Sequence, residues 1–101
     1  MKLVIITAVA SFREDIIKLL KKAKIDSYSG AEMDGYSHSE SSSFSWFPGA
    51  KEGIDSHMFF AFTTSKQAEN LINIVTEFNQ CTVENKNFCI KVGTVPVDKY
   101  I

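Results

Sequence analysis

Two short runs constrain this chain more than any other feature. Residues 3–8 and residues 58–62 carry almost no polar side chain at any position. Side chains of a β-strand alternate between two faces, so a run that is apolar at successive positions is covered on both. The chain must therefore place two such strands centrally, one near its start and one past its midpoint.

The segments between and after them read as follows. Ser11 and Glu14 form an S-x-x-E capping box. Ile16, Leu19, Leu20 and Ala23 recur at helical spacing behind it, which predicts a helix over residues 12–23. Residues 25–36 predict a more polar, edge-like strand with a bend or bulge at Gly30. Residues 37–56 read as a long loop, with serine at six of the nine positions from 37 to 45 and Phe44, Trp46 and Phe47 behind them. The second apolar run lies in a strand over residues 57–63. Ser65 is placed to cap a helix over residues 66–79, marked by Ala68, Leu71, Ile72, Val75 and Phe78. A polar turn over residues 80–87 leads to a last strand over residues 88–94, and Pro96 ends its pairing.

Strand, helix, strand, strand, helix, strand is the split βαβ order of the ferredoxin-like fold. The expected class is α+β, with a four-stranded antiparallel sheet and both helices on one face, in a single domain over residues 1–101. The first and third strands lie at the centre of that topology, and they are the two apolar runs. Their helix-free face would then be apolar and exposed, which predicts an oligomer that buries it.

Composition removes several function classes. The net charge is −1, too low for a chain that neutralises nucleic-acid phosphates. No apolar stretch approaches the length that spans a bilayer, and the N-terminal apolar run reads as a buried strand of a cytoplasmic protein. Cys81 and Cys89 read as two reduced thiols. There is no G-x-S-x-G, H-E-x-x-H or P-loop pattern, and Arg13, the only arginine, has no glycine-rich cradle beside it; the chain reads as non-enzymatic.

The segment over residues 23–36 resembles the PII signal-transduction family. There, a second strand of the form G-I-x-x-x-T-x-x-E-V-x-G-F precedes a long loop, the T-loop. Ile25, Glu32, Gly35 and Tyr36 match in order and spacing, and the long loop follows where the family has it. Val95, Pro96, Val97 and Asp98 are similar to the L-P-V-E that closes the family's last strand. The resemblance implies a homotrimer with inward-facing sheets. It also implies a small anionic effector, such as an adenine nucleotide, held between subunits, and a loop offered to a partner such as a membrane transporter. By position, Gly35, Tyr36, Thr82, Lys86 and Lys91 are the candidate ligand residues, and Phe44, Trp46 and Phe47 the candidate partner-binding residues.

The departures place the chain outside the nitrogen-regulatory group proper. The family's T-G-x-x-G-D-G-K phosphate loop corresponds here to residues 82–87, which hold Thr82 and Lys86 but no glycine. Fewer bare N–H groups can then approach a phosphate. The family's modified loop tyrosine has no counterpart. An alternative reading uses the ends of the long loop: His38 and Glu40 at its start, Asp55 and His57 at its close. Two imidazoles and two carboxylates suit a divalent transition metal, and CutA proteins, trimers of similar fold, are associated with such metals.

Overall fold

The computed structural model describes residues 1–38, 52–84 and 88–101. The strands are β1 (Lys2–Val9), β2 (Ser29–Gly35), β3 (Ile54–Thr63) and β4 (Lys91–Pro96), and the helices are α1 (Arg13–Lys22) and α2 (Ser65–Cys81). The sheet order is β2-β3-β1-β4, antiparallel throughout, which is the expected ferredoxin-like α+β arrangement.

The apolar runs divide between two faces. Val4, Ile6 and Ala8 of β1 and Phe59 and Ala61 of β3 pack beneath the helices against Ile16, Leu19, Leu20, Ala68, Leu71 and Val75. The alternate positions form the helix-free face. The register there sets Leu3 between Phe62 and Val95, and Ile5 beside Phe60. Phe60, Phe62 and Val95 remain 39%, 57% and 48% exposed. The other end of this face is more polar, with Thr7, Ser56 and Lys91.

Local chemistry shifts several predicted boundaries. The capping box at Ser11 and Glu14 does not form. A 3₁₀ turn (Ala10–Phe12) leads into α1, Phe12 takes the cap position without a side-chain bond, and Glu14 pairs with Arg13. α2 is capped by Thr64 instead of Ser65. The Thr64 hydroxyl accepts from the Gln67 N–H at 3.1 Å, and the Gln67 side chain accepts from the Thr64 N–H at 3.0 Å. α1 ends in a Schellman turn. The Ile25 and Lys24 N–H groups donate to the carbonyls of Leu20 and Lys21, and Lys24 adopts a positive φ of 61°. That turn carries the chain through Ile25, and β2 starts beyond it at Ser29 and not at residue 25.

No bulge occurs at Gly30, which pairs regularly with Phe59. Its lack of a side chain answers a different need: a Cβ there would lie 2.6 Å from two carbons of the Phe59 ring, which covers the glycine. β3 starts three residues earlier than its sequence pattern suggests, and β4 three residues later.

Candidate functional site

The candidate ligand residues are divided: Gly35 and Tyr36 stand at the β2 edge of the sheet, Lys91 at the β4 edge, and Thr82 at the end of α2 in the helix layer. Gly35 is buried and closes β2 opposite Ile54. Tyr36 follows it and is 57% exposed. Its ring lies over Gly53, where a Cβ would approach Tyr36 Cε1 to 2.9 Å and where φ is +89°. Only glycine meets both conditions without strain, so Gly53 fixes the Tyr36 ring at the root of the long loop.

On the opposite edge, Lys91 opens β4 beside Thr7. Thr82 caps α2, its N–H donating to the Phe78 carbonyl at 2.9 Å. Beside it a hollow of about 270 Å³ is walled by Val9, Phe12, Val83 and Phe88. Lys86 lies outside the described residues, as do Glu40, Phe44, Trp46 and Phe47.

Both groups stand at the end of the sheet where β1 finishes and β3 begins. Two strands separate them, and at the usual strand spacing the edges are about 14 Å apart. A single chain therefore does not bring Gly35 and Tyr36 together with Thr82 and Lys91.

Two residues that sequence reasoning passed over belong to this end. The Asn79 side chain holds the main chain just before β4. Its Nδ2 donates to the Ile90 carbonyl at 2.9 Å, and its Oδ1 accepts from the Ile90 N–H at 2.8 Å. This fixes where Lys91 starts, and its only sequence signal is an asparagine near a helix end. Thr7, the neighbour of Lys91, is fully buried, and its hydroxyl has no hydrogen-bond partner among the described residues.

The metal candidates are only partly brought together. Asp55 and His57 point to the helix side of β3, opposite Asp34 and Glu32 of β2. His57 is buried, its ring 4.6 Å from that of Phe59. His38 is exposed beyond β2. Among the described residues, no three His, Cys, Asp or Glu side chains are placed to hold a metal ion. Also among those residues, no helix is long and apolar enough to cross a membrane.

No protein-family model matches the chain, and no curated protein matches it in sequence. Its fold is found among solved structures. The chain is similar to CPII, a nitrogen regulatory PII-like protein from Thiomonas intermedia K12, whose structure is bound to ADP, AMP and bicarbonate. The TM-score is 0.62 at 17% identity, over 99% of this chain and 94% of that one. The chain has the fold of a PII-like protein, as the resemblance around Gly35 implied.

Proposed function

We propose that this protein is a non-enzymatic, cytoplasmic PII-like regulator. It works as a homotrimer, holds a small anionic ligand of the adenine-nucleotide class between subunits, and offers its long loop to a partner protein such as a membrane transporter. The observation that carries this reading is the split between Gly35, which ends the edge strand β2, and Lys91, which opens the opposite edge strand β4, at one end of the sheet. In a closed ring of copies, the β2 edge of one subunit faces the β4 edge of the next, and the two half-sites become one cleft. The exposed apolar residues Phe60, Phe62 and Val95 support burial of the helix-free face in the same assembly. The nucleotides bound to CPII, a protein of the same fold, support the ligand class.

In this cleft Lys91 supplies positive charge to the phosphate, Tyr36 and Gly35 form the opposite wall, and Thr82 offers a hydroxyl. Lys86 adds a second cation from the turn before β4. Phe44, Trp46 and Phe47 are the loop's apolar contribution to partner binding.

Calorimetry of the full chain against ATP, ADP, AMP and cyclic AMP tests the ligand. Saturable binding to at least one of them is expected. Lys91→Ala should weaken it by about tenfold, as loss of a charge-assisted bond does. Silence toward all four nucleotides overturns the ligand class. Native mass spectrometry should report three chains, and a stable monomer at micromolar concentration removes the inter-subunit cleft altogether.

A further inference from the structure

Lysines gather at the end of the fold away from the ligand candidates. Gly35, Tyr36 and Lys91 stand where β1 finishes. From there α1 runs back and ends where β1 begins, and α2 starts at that same end, just after Thr63. Lys18, Lys21, Lys22 and Lys24 occupy the last turns of α1 and the turn beyond it, and Lys66 the first turn of α2. The two helix ends are tied together, the Gln67 Nε2 donating to the Lys24 carbonyl at 2.9 Å. All five lysines are exposed, and none has an acidic partner within ion-pair distance among the described residues. Asp26, Glu69 and Asp98 are the described acidic residues toward this end, while Glu14, Asp15, Asp34, Asp55, Glu77 and Glu84 lie toward the other.

Fold stability does not call for this crowding. Cations suit the C-terminal end of α1, but Lys18 lies one turn from both Lys21 and Lys22, spacings at which like charges oppose a helix. Lys66 runs against the dipole outright. It sits in the first turn of α2, where anions are favoured and where no acidic residue is present. The charge is concentrated at some cost, as on a surface that meets an anionic partner.

The chemistry of the patch narrows that partner. α1 is amphipathic, with Ile16, Leu19 and Leu20 buried and the lysines outward. The cations are all lysine; the one arginine, Arg13, lies at the far end of α1, paired with Glu14. Forked guanidinium groups grip single phosphates and base edges in a bidentate way that lysine point charges do not. Exposed lysines spread over two helix ends match a broad field of negative charge, and clusters of about four to eight on an amphipathic helix bind anionic lipid.

We propose that this end of the protein docks on an anionic lipid surface, with Lys18, Lys21, Lys22, Lys24 and Lys66 facing the headgroups. The docking is peripheral, electrostatic and reversible. It does not rest on the nucleotide reading, whose candidate residues lie at the other end of the sheet.

Co-sedimentation of the full chain with vesicles tests it, comparing phosphatidylcholine alone with phosphatidylcholine plus phosphatidylglycerol. Binding is expected only to the anionic vesicles at low salt, and is lost at about 1 M salt, where the screening length falls to about 3 Å. The double variant Lys21→Gln, Lys22→Gln should bind more weakly by about tenfold or more, and so should Lys18→Gln, Lys66→Gln. Arg13→Gln removes a cation from the other end of α1 and should change nothing. Circular dichroism melts identify a variant that fails to fold; the Lys18, Lys66 pair relieves unfavourable charge positions, keeps its melting temperature and then decides alone. Nucleotide calorimetry on the same variants should be unaffected, which separates this proposal from the nucleotide cleft. Absence of binding to anionic vesicles at low salt overturns the proposal, as does equal binding to neutral vesicles, binding that survives high salt, or binding that ignores both lysine pairs. Binding to heparin or single-stranded DNA without binding to anionic vesicles overturns it in favour of a soluble polyanion.

Discussion

Replacing Asn79 by alanine removes both hydrogen bonds that hold the Ile90 peptide. Ile90 is only 2% exposed, so its N–H and carbonyl are poorly placed to recover water. An ordinary intramolecular hydrogen bond contributes about 1 kcal/mol net, but stranding its buried partner costs about 1–3 kcal/mol. Two stranded groups, with partial relaxation of the chain before β4, give an expected loss of about 2–4 kcal/mol. For a domain of this size that lowers Tm by at least about 10 °C. Urea unfolding followed by far-UV circular dichroism reads the change directly, provided the slope m stays constant. Asn79→Asp keeps the acceptor for the Ile90 N–H and strands only the carbonyl, so it should fall between wild type and alanine. A loss below about 0.5 kcal/mol in Asn79→Ala would refute the reasoning, since it would mean that the Ile90 peptide finds other partners at no cost. Because the clamp also sets where Lys91 begins, the alanine variant should bind nucleotide more weakly even where it is fully folded.

Three smaller effects follow from the backbone. Lys24→Gly relieves a left-handed residue at the end of α1 and should raise stability by about 0.5–1 kcal/mol, read by thermal melting. Thr64→Ala removes the capping box of α2 and should cost about 1 kcal/mol, while Ser65→Ala should change stability little. Gly30→Ala drives a Cβ to 2.6 Å from the Phe59 ring and should cost about 1–3 kcal/mol; in a Phe59→Leu background most of that penalty should vanish, and a penalty that persists would shift the clash to His57 Nε2, 3.2 Å from the same Cβ.

What was legible in the sequence was what repeats. Residues 3–8 and 58–62 announce central strands because burial on both faces leaves no polar position, and the two helices announce themselves by spacing. The capping signals show where such reading fails. Ser11 with Glu14 and Thr64 with Gln67 both fit one pattern, yet only the second forms, because a 3₁₀ turn precedes α1 and moves its start to Phe12. The pattern says that orphan donors can be satisfied and leaves open the path by which the chain arrives. The cross-strand pairing of Asp34 with Asp55 and of Glu32 with His57 was hidden for a related reason. Glu32 and Asp34 meet His57 and Asp55 only through the β2–β3 register, and the long loop between those strands does not fix a register by its length. Asn79 gives no local hint that its partner lies eleven residues onward. Tyr36, by contrast, was named on family spacing, and the glycine that seats its ring, Gly53, lies across the loop where spacing cannot reach.

The division of the candidate ligand residues, Gly35 and Tyr36 at one edge of the sheet and Lys91 at the other, has a genetic consequence. In the proposed ring, a chain damaged at Tyr36 and a chain damaged at Thr82 and Lys91 are each inactive alone, because every cleft they build has one broken wall. Mixed together, the two alleles complement. With random assembly, about one cleft in four draws its β2 wall from the second chain and its β4 wall from the first, and is wild type in every contact. A protein whose site lay within one subunit could show no such rescue, so co-expression of two dead variants reports the architecture without a structure of the assembly.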